Sequence, residues 1–190
     1  MIVVFGSVNV DFVTRVPRIP RPGETVLGPG YAVIPGGKGA NQALAARRAG
    51  SQVSLVGAVG RDPFADIGLS LLVSDGVDCT GVARVAAPTG AAFISVSDDA
   101  ENAIVVAAGA NAAVTAAQLD AVQLTAQDTL LLQREVPESE AVEAARRAKA
   151  AGARVILNAA PAGALPGDLL PLLDILIVNV ALTRIGAELG

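Results

Sequence analysis

Residues 129–158 read TLLLQREVPESEAVEAARRAKAAGARVILN. Thr129 to Gln133 is a short apolar run bounded by charge, and it predicts a buried strand. Pro137 to Ala151 predicts a helix. Glu138, Glu140 and Glu143 fall early in it, and Arg146, Arg147 and Lys149 fall late, the order that suits the helix dipole. Arg154 to Leu157 predicts a second strand. A strand, a helix and a strand of these lengths imply parallel pairing through a right-handed crossover. The fold class is therefore α/β.

The same rhythm extends in both directions. Downstream, Leu165 to Leu173 predicts a short helix and Ile175 to Val178 a strand. Upstream, Thr115 caps a predicted short helix through Val122. Near the start, Ile2 to Phe5 predicts a strand, Gly39 to Ala49 a helix closed by Gly50, Val53 to Val59 a strand, and Pro63 to Ser74 a helix with Gly76 beyond its end. Ala83 to Val85, Ala91 to Val96 and Ala103 to Ala107 are further strand candidates. Asp11 to Val33 is rich in Pro and Gly and reads as irregular strands and turns. No internal repeat, linker or low-complexity segment interrupts this pattern, so one domain spans residues 1–190.

Composition narrows the function. The 190 residues are 52% hydrophobic and 17% charged, enough for one sizeable core. Fourteen Lys and Arg face 18 Asp and Glu, a net charge of −4, which argues against a nucleic-acid binder that works by a basic surface. Aromatics make up 3%, too few for a base-stacking platform. There is no His, so no His-metal site and no Ser-His-Asp or Cys-His pair. Cys79 is alone, which excludes an intrachain disulfide framework and a CxxC zinc site and fits a reducing compartment. No targeting pattern opens the chain and no apolar run reaches about 18 residues, so the expectation is a cytoplasmic protein with no membrane span.

Three places carry candidate chemistry. Gly36-Gly37-Lys38-Gly39-Ala40-Asn41 leads into a helix. Its glycines let backbone approach a ligand, and the helix start offers free N–H groups and positive potential. Asn41 adds an amide in the first turn. The hexapeptide reads equally as a Gly-rich turn before an ordinary helix. It is no P-loop, since Gly39 follows Lys38 where Ser or Thr is needed, and no dinucleotide fingerprint, since Gln42 stands at the third glycine. Asn9 and Asp11 follow the first strand, where parallel sheets bind ligands, and Asp suits adjacent sugar hydroxyls; read alone they are a capped turn. Glu135 follows the strand at Leu130–Gln133, and read alone is a first-turn helix acid. Asn158 and Asn179 repeat the placement, so five polar positions stand at one rim of the sheet.

GGKGANQALAARRAGSQVSLVGAVG at 36–60 resembles the first signature of the PfkB-type carbohydrate kinases, with Asn41, Gly50 and Gly60 at matching spacing. GSVNVDFV (6–13), PGET (22–25), ENAIVVAAGAN (101–111), LLLQREVP (130–137), LNAAPA (157–162) and LLDILIVN (172–179) continue it in order and place it in the ribokinase branch. The resemblance implies a ribokinase-like three-layer sandwich, with a mainly parallel central sheet and a small β lid at about 11–33 and 91–107. It implies a kinase moving the ATP γ-phosphate to the 5-hydroxyl of D-ribose with Mg²⁺, and a potassium or other monovalent-cation site. It implies sugar contacts from Asn9, Asp11, Gly37, Lys38, Asn41 and Glu135, with Asn179 on the nucleotide side, and a homodimer through the lid.

Two departures qualify those implications. The family's second signature, Asp-Thr-x-Gly-Ala-Gly-Asp, supplies the anion hole and the catalytic Asp; it is absent here, and Ala108-Gly109-Ala110-Asn111 lacks both acids. Leu182 stands where the family usually has Glu in Asn-x-x-Glu. The expectation is thus a chain without the C-terminal third and with little or no turnover. The alternative is a non-catalytic sugar-binding or dimerising remnant.

Overall fold

The computed structural model describes residues 1–178. Strand β1 (Ile2–Phe5) forms the heart of a six-stranded parallel sheet. On one side it pairs with β4 (Val53–Val59), and β4 pairs with β5 (Asp78–Arg84). On the other side lie β8 (Thr129–Leu132), β9 (Arg154–Asn158) and β10 (Ile175–Ile177), giving the order β10-β9-β8-β1-β4-β5.

Alternation along the strands builds two cores. Val3 and Phe5 of β1, with Leu130 and Leu132 of β8, face helix α3 (Glu138–Ala150). Val4, with Leu55 and Val59 of β4, faces helices α1 (Lys38–Arg48) and α2 (Pro63–Ser74). Buried parallel strands covered on both faces favour such near-continuous apolar runs. In α3 the residues Ala141, Val142, Ala144, Ala145 and Ala148 form the buried stripe. The three-layer α/β architecture expected from the sequence is the one observed.

A second, four-stranded sheet projects from the first, built of β2 (Asn9–Val16), β3 (Tyr31–Gly36), β6 (Gly90–Ser97) and β7 (Asn102–Ala107). Their order is β3-β2-β6-β7. Strand β2 leaves β1 after only Gly6, Ser7 and Val8. At the root, Asp62 caps α2 through Phe64 N and Ala65 N and accepts the Thr89 hydroxyl at 2.7 Å, tying the start of β6 to the main sheet.

Several local readings change. Residues 11–33 are more regular than expected: β2 is a full strand because β3 and β6 pair along both its edges, and the prolines are confined to the connection at 17–30. The strand foreseen at 83–85 runs from Asp78 to Arg84; its polar, half-exposed residues at a sheet edge mask the apolar signal. The helix at 115–122 is a 3-10 segment over Ala116–Ala121, held at its start by Thr115 N donating to Gln118 Oε1 at 2.8 Å. The helix at 165–173 is reduced to the 3-10 turn Leu170–Leu172, since Pro166 and Pro171 deny it backbone donors.

Candidate functional site

Everything of chemical interest gathers where the second sheet is rooted on the first. Strand β3 ends at Gly36, and Gly37, at φ +93°, turns the chain into α1. No side chain caps this helix from within. Its first donors go elsewhere: Lys38 N–H donates to Glu135 Oε2 at 3.0 Å, Gly39 N–H to Ser7 Oγ at 3.2 Å, and Ala40 N–H to Ser7 O at 2.9 Å. The free N–H groups expected at this helix start are therefore already satisfied. Glu135, arriving from the end of β8, brings its carboxylate to the positive end of the helix dipole and serves as its cap.

Glu135 is held from three directions. Ser7 Oγ–H donates to Oε2 at 2.6 Å, the Lys38 amide donates to the same oxygen, and Lys38 Nζ lies 3.4 Å from Oε1. Oε2 is saturated, while Oε1 faces the Lys38 ammonium and the recess. Gly39 has to be glycine, because a Cβ there would lie 2.5 Å from Ser7 N and 2.6 Å from Gly6 C.

Asn9 and Asp11 are placed differently from expectation. They lie within β2, not in a turn after β1, and being two apart they share one face of the second sheet. Asn9 is buried. Asp11 Oδ1 is buried without a hydrogen-bond partner. Burial, reinforced by the negative field of Glu135 and opposed by Lys38, raises the Asp11 carboxyl above its ordinary value. A Cβ on Gly36 would lie 2.3 Å from both Asp11 carboxylate oxygens, so glycine there makes the room.

The structure brings all six predicted sugar-site residues together. Asn9, Asp11, Gly37, Lys38, Asn41 and Glu135 line one recess of about 120 Å³, completed by Ala92, Ile94, Ile104 and Val106 of β6 and β7. A neighbouring cavity of about 500 Å³ shares the walls of Asn9, Lys38 and Glu135 and continues toward Arg134 and Pro161. The recess thus offers carboxylates, an ammonium and amides beneath an apolar roof. Asn158 closes β9 but lines neither space. Asn179 and Leu182 lie outside the described residues.

Three residues escaped the sequence reading. Ser7 is completely buried and couples Glu135 to α1. Arg134 holds the loop after β9 through Pro161 O at 3.1 Å and Ala164 O at 2.7 Å. Asn111, in the 3-10 turn Gly109–Ala113, donates to Asn9 Oδ1 at 2.7 Å. None has a local signature; each is brought in by chain more than 20 residues away.

Residues 1–181 match the family model described as pfkB family carbohydrate kinase. The chain belongs to this family. Among curated relatives of this pfkB chain, the ribokinase of Haemophilus influenzae is 41% identical over 179 residues, 93% of this chain and 58% of the relative. The solved ribokinase of Thermotoga maritima superposes with a TM-score of 0.88 at 35% identity, covering 98% of this chain and 62% of that one. Arabidopsis thaliana ribokinase, solved with ribose and ATP, gives 0.82 at 32% identity, covering 95% and 60%. The chain therefore spans about three-fifths of the length of the relatives it matches. The pfkB family and these relatives are sugar kinases, ATP-dependent phosphotransferases.

Among the described residues, no group of three or more His, Cys, Asp or Glu side chains is placed to hold a metal ion. None of their helices is long and apolar enough to cross a membrane.

Proposed function

We propose that this chain forms the sugar-binding part of a ribokinase-type enzyme with D-ribose as acceptor. The observation that carries the reading is the convergence of Asn9, Asp11, Gly37, Lys38, Asn41 and Glu135 on one recess of sugar-compatible polarity. The names of the relatives support ribose as the acceptor.

Asn9 and Asp11 bind neighbouring hydroxyls, Asp11 offering an unused acceptor to a hydroxyl proton. Gly37 allows backbone to come close on the opposite side of the ring, and Lys38 and Asn41 supply donors there. Glu135, fixed through Oε2, presents Oε1 as a rigid acceptor. The second sheet acts as the lid, with Ile94, Ile104 and Val106 displacing water from the sugar's apolar face.

ATP with Mg²⁺ supplies the phosphoryl group in this family. The described residues present no cluster fit to hold the metal, and the family's anion-hole sequence does not occur in these 190 residues. The residues of the recess support the sugar half of the chemistry, with positioning as their contribution. A coupled ATP-turnover assay with D-ribose, run beside calorimetric ribose binding on chain of verified mass, tests this. Binding without turnover is expected. Turnover would refute the assignment to the sugar half alone, and absence of binding would refute the site.

The lid also offers a dimer surface. On its face away from the recess, Phe12 stacks on Phe93 with ring centroids 5.4 Å apart, and Tyr31 and Val105 extend the patch while largely exposed. Pairing of two lids in a homodimer would cover these residues.

A further inference from the structure

Asn111 lies outside the six residues assigned to the sugar, yet it is 1% exposed and every polar atom of its side chain is engaged. Its Oδ1 accepts Val8 N–H at 2.9 Å; its Nδ2 donates to Val8 O at 3.2 Å and to Asn9 Oδ1 at 2.7 Å. The two backbone contacts decide which way this amide faces. Val8 N–H only donates, so Oδ1 must meet it, and Val8 O only accepts, so Nδ2 must meet it. The nitrogen is thereby aimed at Asn9, and Asn9 must answer with its oxygen. The Asn9 Nδ2 group is left pointing away from Asn111, on a residue that lines both spaces of the site, with no partner among the described residues.

We propose that Asn111 is a positioning residue that locks the Asn9 amide with its N–H₂ toward the ligand. This rests on the ribose reading above. Two positions along the same strand face, Asp11 Oδ1 is a buried acceptor lacking a donor. The site therefore pairs a fixed donor with a fixed acceptor. A hydroxyl between them donates its one proton to Asp11 and accepts from Asn9. Were Asn9 free to rotate, its oxygen would sit beside the Asp11 carboxylate and two acceptors would compete for that proton. The lock thus selects a ligand with an oxygen at this point over one lacking it.

Gly90 belongs to the same device. A Cβ there would lie 2.2 Å from Asn111 Nδ2 and 2.3 Å from Asn9 Oδ1. Only glycine at the start of β6 lets the two amides meet. Asn111 also stands on the turn that follows β7, so the lock joins two roots of the lid.

The test is calorimetric binding of D-ribose and its 2-deoxy, 3-deoxy and 5-deoxy analogues to the 190-residue chain. The wild type is expected to bind one deoxy analogue about ten- to a hundredfold more weakly than ribose, the loss that follows from leaving one buried polar group unpaired. Asn111→Asp, which offers Asn9 no donor and turns its amide round, is expected to compress that ratio to within about threefold while the other two ratios hold. Gly90→Ala is expected to do the same without altering either amide. Equal weakening toward all four sugars, or an undiminished ratio, overturns the proposal. A sugar-free readout guards against variants that fail to fold. The Asn111 side-chain NH₂ should be strongly protected from solvent exchange in ¹H–¹⁵N spectra of the wild type and remain so in Asn9→Asp, which still accepts from it. Free exchange in the wild type overturns the lock. Protection in a chain that binds none of the sugars upholds the lock and refutes ribose as the ligand.

Discussion

Removing the Glu135 carboxylate tests whether that group holds the fold as well as the ligand. In Glu135→Ala, Ser7 Oγ–H and Lys38 N–H lose the acceptor now at 2.6 and 3.0 Å. Hydrogen bonds to a charged partner contribute about 1.5–3 kcal/mol each. The vacated space opens on the recess, so water recovers part of that, leaving a cost of about 2–4 kcal/mol. The Lys38 ammonium is 39% exposed, and its pairing adds less than about 1 kcal/mol. For a chain of this size the melting temperature should fall by about 5–15 °C. Glu135→Gln keeps an acceptor for both donors and loses only the charge, so about 1–2 kcal/mol and a smaller fall are expected. Thermal unfolding followed by circular dichroism ranks the three proteins. Both variants melting with the wild type would show that the carboxylate caps nothing. Gln falling as far as Ala would show that charge, not acceptance, is what α1 requires.

Three further perturbations follow from the same geometry. Gly37→Ala should destabilise by about 2 kcal/mol or more, because a Cβ at φ +93° would lie 2.7 Å from Asn9 N; Gly50→Ala, at φ +95° in open space, should cost only about 1 kcal/mol, and equal losses in urea denaturation would refute the crowding argument. Asp11→Asn should raise stability near pH 7 while abolishing ribose binding. The folded carboxyl titrates above 3.8, so its ionisation penalty is absent below that value and grows as pH rises through the raised one; a stability gain that persists undiminished at pH 3 would contradict this. Phe93→Asp, on the lid face away from the sugar, should shift sedimentation from dimer to monomer without changing ribose affinity, and an unchanged sedimentation coefficient would remove the lid as the contact.

The alternation of strand and helix was legible because burial writes itself into composition: Leu130–Leu132 and Val155–Leu157 are apolar on both faces, and α3 carries its charges in dipole order. β5 was read too short because an edge strand need be apolar on neither side, as Asp78 and Thr80 show. The six candidate site residues were legible through resemblance; from local pattern alone they read as ordinary turn and helix-start residues, and Glu135, read as a first-turn acid of its own helix, instead caps α1, a helix that starts 97 residues upstream. Ser7 and Asn111 were not legible. A buried Ser or Asn acquires meaning only from the donor it faces, and those partners lie 128 and 102 residues away in sequence.

The short passage through Gly6, Ser7 and Val8 makes the central strand of one sheet run almost directly into a central strand of the other. The groups proposed to face the sugar sit near the roots of the second sheet, at Asn9, Asp11, Gly37 and the base of α1. Its tips, the 17–30 connection and the turn at 98–101, lie beyond them. Selection can therefore lengthen, shorten or decorate the tips, and so change what the second sheet touches, while the residues lining the recess stay fixed to the core. The division leaves the recess at the base and the reach of the tips free to evolve separately.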